Sequence, residues 1–192
     1  MLGKRKTGDK LGDIRRATIA EVVERGSSAA SVNAIAKRAG LAVGTVYRYY
    51  ESKEQLLRTV QMTIKTELHE QVMNAAKSEN GAKAKVRAMW FSILEYAHEN
   101  PDSFLFSEVL MNSALLTDKE RGRIEAMLLE GTQVIERGIT EGIIQSGDLR
   151  AIRTIIIAPA LHLGRATARV GEAPNSACAE ETFDLCWKAI ST

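Results

Sequence analysis

Residues 43–53 read VGTVYRYYESK and gather the phenol side chains that the chain otherwise uses sparingly. Three of its four tyrosines, Tyr47, Tyr49 and Tyr50, fall within four residues around Arg48. On a helix of 3.6 residues per turn, Val46 and Tyr50 share one face, while Thr45, Arg48 and Tyr49 lie mostly on the other. The first face can pack on Ile35, Ala36, Leu41 and Leu56. The second offers a hydroxyl, a guanidinium and a phenol to something outside. A guanidinium matches the O6/N7 edge of guanine, and phenols donate to phosphate oxygens. Gly44 has no side chain to hold a partner away. This chemistry is recognition of a polyanion.

Bond-breaking chemistry finds no support. No paired carboxylates, metal-ligand spacing, phosphate loop or nucleophile signature is present, so no catalytic residue, metal or cofactor is expected. His69, His98 and His162 are scattered. Cys178 and Cys186 lie two helical turns apart, about 12 Å, which is too far for a disulfide. Reduced thiols fit a cytoplasmic protein. The opening MLGKRKTGDKLGD lacks the apolar core of a signal peptide, and no run of 18 apolar residues occurs, so no membrane partner is expected. Charge is uneven along the 192 residues. Residues 1–60 hold 12 Lys/Arg against 6 Asp/Glu, and the remainder holds 14 against 18. A basic head on an acidic body again points to a polyanion at the N-terminal end.

The elements that must position these groups read as helices throughout. Ile14, Ala17 and Val22 line a first helix that stops at Gly26. Ser31 caps a short second helix with Val32, Ile35, Ala36 and Ala39, closed by Gly40. Leu41 to Tyr50 form a third. Ser52 and Gln55 make a capping box for a fourth, carrying Leu56, Leu57, Val60, Ile64 and Leu68. Residues 78–82 form a loop. A fifth helix carries Val86, Met89, Trp90, Ile93, Leu94 and Ala97 and ends at Asn100-Pro101. A sixth spans about 103–115. Thr117 and Glu120 box the start of a long seventh that runs through Ile143 to Ser146-Gly147. Helices over about 149–170 and 176–190 complete the chain, with Pro159 expected to kink or split the former. The fold class is all-α, with about nine helices. Helices two and three, joined through Gly40, form a helix-turn-helix corner.

The stretch IAKRAGLAVGTVYRYYESKEQLL resembles the DNA-binding signature of the TetR family of transcriptional regulators, with close likeness over about residues 11–60. EGIIQSGDLR is similar to the family's lead into its eighth helix. The resemblance implies a DNA-binding domain over 1–56 and a helical effector-binding and dimerisation domain over 57–192. It puts Val43, Gly44, Thr45 and Arg48 at or near base edges, and Tyr47, Tyr49 and Lys53 at phosphates. Ser31 and Asn33 follow along the DNA backbone, Tyr50 packs inward, and the tail Lys4, Arg5 and Lys6 reaches a neighbouring groove. Four positions depart from the family pattern. Ala42 stands where serine usually caps the recognition helix, a loss of about 1 kcal/mol. Val43 replaces a residue that is often polar or basic, and can touch a thymine methyl instead. Glu51 and Thr18 replace a common proline and alanine.

For the body, the resemblance implies a small-molecule pocket, with candidates Trp90, Phe91, Leu94, His98, Phe104, Phe106, Met111 and Met127. Such a lining suits a hydrophobic effector. Small residues on the eighth helix, Ala158, Ala160, Gly164, Ala166 and Ala168, and apolar ones on the ninth would build a four-helix homodimer interface. The expected function is a homodimeric, ligand-released repressor on a palindromic operator in double-stranded DNA. The alternative is a helical ligand-binding dimer with degraded or non-specific DNA binding.

Overall fold

A computed structural model of the chain describes residues 9–110, 115–171 and 173–192. Among these, nine helices follow in order: α1 Lys10–Arg25, α2 Val32–Ala39, α3 Val43–Tyr47, α4 Lys53–Lys77, α5 Ala82–Glu99, α6 Pro101–Val109, α7 Asp118–Thr140, α8 Leu149–Val170 and α9 Ala177–Ile190. The protein is all-α, as its periodicity requires.

Local chemistry sets most of the boundaries. Ser31 Oγ accepts from the Ala34 N–H at 3.2 Å and opens α2. Gly40 closes α2 in the left-handed region at φ 68°, which costs little only without a Cβ. Thr117 and Glu120 form a complete capping box at α7. The start of α4 departs from the expected box. Ser52 Oγ accepts from the Gln55 N–H, but the Gln55 side chain takes its own bond from the Glu51 N–H, one residue upstream of Ser52.

Other boundaries move. The third helix is shorter than expected, because Ala42 supplies no side-chain cap and Tyr49 and Tyr50 both donate backbone bonds to the Val46 carbonyl in a closing turn. The seventh stops at Thr140, because Gly142 turns the chain at φ 70° and Ile144 enters an isolated antiparallel bridge with Ser191. The sixth begins at Pro101, where proline is welcome in a first turn, and ends by Val109. Pro159 does not split α8, which continues through it.

Two compact units result: Met1–Thr63 with Phe106–Leu115, and Ile64–Leu105 with Leu116–Thr192. Ile14, Val22, Ile35, Ala36, Val46 and Leu56 are fully buried in the first. A buried polar contact joins its parts, the Gln61 amide donating to Ser107 Oγ at 3.3 Å. In the second, α5 lies along α8. Gly164 permits that approach, since a Cβ there would stand 2.9 Å from the Phe104 ring and 3.5 Å from Ala97 Cβ. The Trp90 indole N–H donates to the Ile156 carbonyl at 2.9 Å, pinning α8 just before Pro159. Trp90, Phe91, Phe183 and Trp187 form a ring cluster that ties α5 to α9.

Candidate nucleic-acid interface

The first unit divides the VGTVYRYY segment much as helical angle predicts. Val46 is completely buried, while Tyr47 and Tyr49 are 52% and 45% exposed and Arg48 lies open beside them. The Arg48 side chain takes part in no ion pair among the described residues. Gly44 is exposed with open space where a Cβ would stand, and Val43 and Thr45 are half-buried. Tyr50 turns inward, and burial pushes its phenol above the usual range. Ser31 and Asn33 are exposed at the start of α2, although the Ser31 hydroxyl is engaged as the cap. Lys4, Arg5 and Lys6 lie outside the described residues.

Two interactions were not read from the sequence. Lys53 Nζ donates to the Ser28 carbonyl at 3.1 Å, holding the start of α4 to the α1–α2 loop. A lysine in a first helical turn opposes the helix dipole, and this bond gives it an internal partner. An ammonium has three donors, so a phosphate can still be met. The second is a clamp between α1 and α2. The Arg38 guanidinium grips both oxygens of Glu24 and reaches Glu21 Oε2 at 3.4 Å, while Arg25 holds the other Glu21 oxygen at 3.3 Å. Glu21 is 2% exposed, and the two arginines are the cationic neighbours of this buried side chain. The i,i+3 spacing of Glu21 and Glu24 was visible, but their partner 14 to 17 residues away was not.

The clamp should make the head acid-sensitive. The Arg38 hydrogen bond holds the Glu24 carboxyl below its ordinary 4.5. A carboxylate lowered on folding stabilises above its unfolded value, and that stabilisation is lost as pH falls through the folded one. The thermal midpoint should therefore drop as pH falls from 4.5 toward the lowered value. Glu24→Gln should lower the midpoint at neutral pH and flatten this part of the profile, as differential scanning calorimetry across the range would record.

Together these groups form a corner whose inner side is core and whose outer side presents hydrogen-bond donors at helical spacing. Residues 14–60 match the model for bacterial regulatory proteins of the tetR family, and residues 61–192 match that for the tetracyclin repressor-like C-terminal domain. The chain belongs to the TetR family. That family is one of DNA-binding transcriptional regulators, not of enzymes. A TetR-family regulator from Marinobacter aquaeolei superposes with a TM-score of 0.85 at 26% identity, covering 95% of this chain and 96% of that one. The fatty acid metabolism regulator protein of Bacillus subtilis is 28% identical over 152 residues, 73% of this chain and 71% of its own. The nucleoid occlusion factor SlmA of Glaesserella parasuis is 28% identical over 117 residues, 58% of this chain. The chain spans about half the length of this and the other SlmA relatives it matches, 54% in the Glaesserella case.

In the second unit of this TetR-family chain, α4, α5, α7 and α8 surround a cavity of 230 Å³. Its walls are mainly aliphatic, including Leu68, Val72, Val86, Ile93, Met127 and Ile135, with Lys65, His69 and Arg153 as the cationic or ionisable members. Of the expected pocket residues, Met127 lines it. Trp90, Phe91, Leu94 and Phe104 are instead buried elsewhere in the core, Phe106 is buried in the first unit, and His98 is on the surface. Met111 lies outside the described residues. The physical reason is that aromatic rings at helical spacing fill the α5–α9 interior, where flat bulky groups pack on one another. Among the described residues no helix is long and apolar enough to cross a membrane, and no His/Cys/Asp/Glu group has the makings of a metal site.

Proposed function

We propose that this chain is a homodimeric repressor, active in the cytoplasm, that binds a palindromic operator and is released by a small apolar effector. The observation that carries the DNA half is the open display of Tyr47, Arg48 and Tyr49 around the fully buried Val46. Arg48, with Val43, Gly44 and Thr45, reads base edges, and Tyr47, Tyr49, Lys53, Ser31 and Asn33 hold the backbone. Two such heads enter major-groove sites about 34–36 Å apart, one helical turn of DNA. Helices α8 and α9 supply the dimer contact. Ile155, Val170 and Leu185 are 40%, 76% and 63% exposed, and the small Ala158 lies open on the same outer side of α8 as Ile155.

The aliphatic cavity supports the effector half. The Bacillus subtilis regulator FadR solved in complex with stearoyl-CoA shares the fold, with a TM-score of 0.75 at 20% identity. Helix α4 is continuous from Lys53 at the corner to Met73 on the cavity wall, so a ligand there bears on the same helix that begins at the head. An effector shifts the equilibrium only by its differential affinity for the two states.

Selection of bound duplexes from a random pool, with and without decan-1-ol as an apolar probe, tests the reading. An enriched inverted repeat that is lost with the probe is expected. A pool with no enriched motif would instead favour the ligand-binding dimer that has lost specific DNA recognition.

A further inference from the structure

A second concavity opens beside the aliphatic cavity. It measures 290 Å³ and is formed by the end of α4, the start of α5 and the face of α7. Its character is different. Lys77, Lys85 and Arg137 line it with Glu130 and Glu141. None of the three cations is in an ion pair among the described residues, whereas Glu130 is bound to His69 Nε2 at 2.8 Å. That pairing commits one of the two acids elsewhere and leaves positive charge in excess.

The two spaces share a wall. Met73 lines both. His69 lines the aliphatic cavity and its partner Glu130 lines the charged one. Val86 on one side is a single helical turn from Ala82 on the other. Unbranched methionine adapts its shape readily, and the His69–Glu130 contact joins a half-buried imidazole to an exposed carboxylate. A flexible thioether and the His69–Glu130 contact therefore both lie where the two spaces meet.

We infer that the two spaces form one amphiphile site: the aliphatic cavity takes an alkyl chain, and Lys77, Lys85 and Arg137 take an anionic head, a phosphate-type group with several oxygens. This rests on the reading of the aliphatic cavity as the effector site and adds the chemistry of the effector's other end. Oxyanions suit the donors available, since an ammonium or guanidinium forms its strongest hydrogen bonds to charged oxygens. A neutral alcohol could fill the cavity but would leave the three cations unanswered.

Calorimetric titration of the full chain with decyl phosphate and with decan-1-ol separates the two claims, because the probes differ only in the head. Decyl phosphate should bind at least about tenfold more tightly, the worth of one or two charge-assisted hydrogen bonds. In the combined variant Lys77→Gln, Lys85→Gln, Arg137→Gln that advantage should vanish, while decan-1-ol binds as before and so reports an intact cavity. Equal affinity of the two probes for the unaltered protein, or an advantage that persists in the variant, would overturn the anionic-head assignment alone. Failure of both probes to bind would overturn the apolar effector reading with it.

Discussion

Arg48→Ala is expected to cut affinity for the selected operator by about 1–3 kcal/mol, roughly 5- to 150-fold, and to flatten the base preference at one position in each half-site. The magnitude is that of one bidentate arginine–guanine contact. The side chain is open and free of ion pairs among the described residues, so its removal disturbs little inside the protein. Tyr47→Phe provides the contrast. It removes the phenolic donor proposed to meet phosphate and should weaken binding to every sequence alike. Binding measured over a panel of single-base operator variants distinguishes the two patterns. An Arg48→Ala profile parallel to that of the unaltered protein would remove Arg48 from the base-reading set.

Trp90→Ala should be strongly destabilising in the second unit, at about 3–5 kcal/mol for an aromatic core truncation. Trp90 is completely buried, meets Phe91 and Phe183 edge to face, and donates its indole N–H to α8. Trp90→Phe separates the contributions. It retains most of the ring contact and removes the donor, so a smaller loss of about 1–2 kcal/mol is expected. Urea unfolding followed by far-ultraviolet circular dichroism would read both. Equal stability of the Phe variant and the unaltered protein would show that the Ile156 carbonyl does not depend on this bond.

The corner was largely legible because its signals are local. Ser31, Gly40 and the Val46/Tyr50 period each act within one or two turns, and each is where the sequence put it. The end of α7 was less so. Ile143 continues the helical period, yet a single positive-φ glycine at 142 redirects the chain before it. The pocket lining was least legible. Val72, Ile93 and Ile135 line a cavity, while Leu94 and Ile64 fill solid core, and nothing in an aliphatic side chain's type or spacing tells one from the other. Aromatic residues drew attention because they are rare, but rarity reports packing demand as readily as ligand contact. The Arg38 clamp was hidden for another reason. Its partners become neighbours only once α1 and α2 have packed.

That clamp alters what the basic head offers a polyanion. Arg16 is matched to Asp13, Arg25 to Glu21, and Arg38 to Glu21 and Glu24, so these three arginines already have acid neighbours in the free protein. Lys53 is different, because the carbonyl it holds carries no charge and leaves the ammonium's intact. The number of counterions released on DNA binding follows the phosphates neutralised, not the lysines and arginines present. Much of the proposed recognition surface is uncharged: two phenols, a threonine hydroxyl and an exposed glycine. The affinity of this head should therefore fall less steeply with ionic strength than the excess of basic residues in its sequence would suggest.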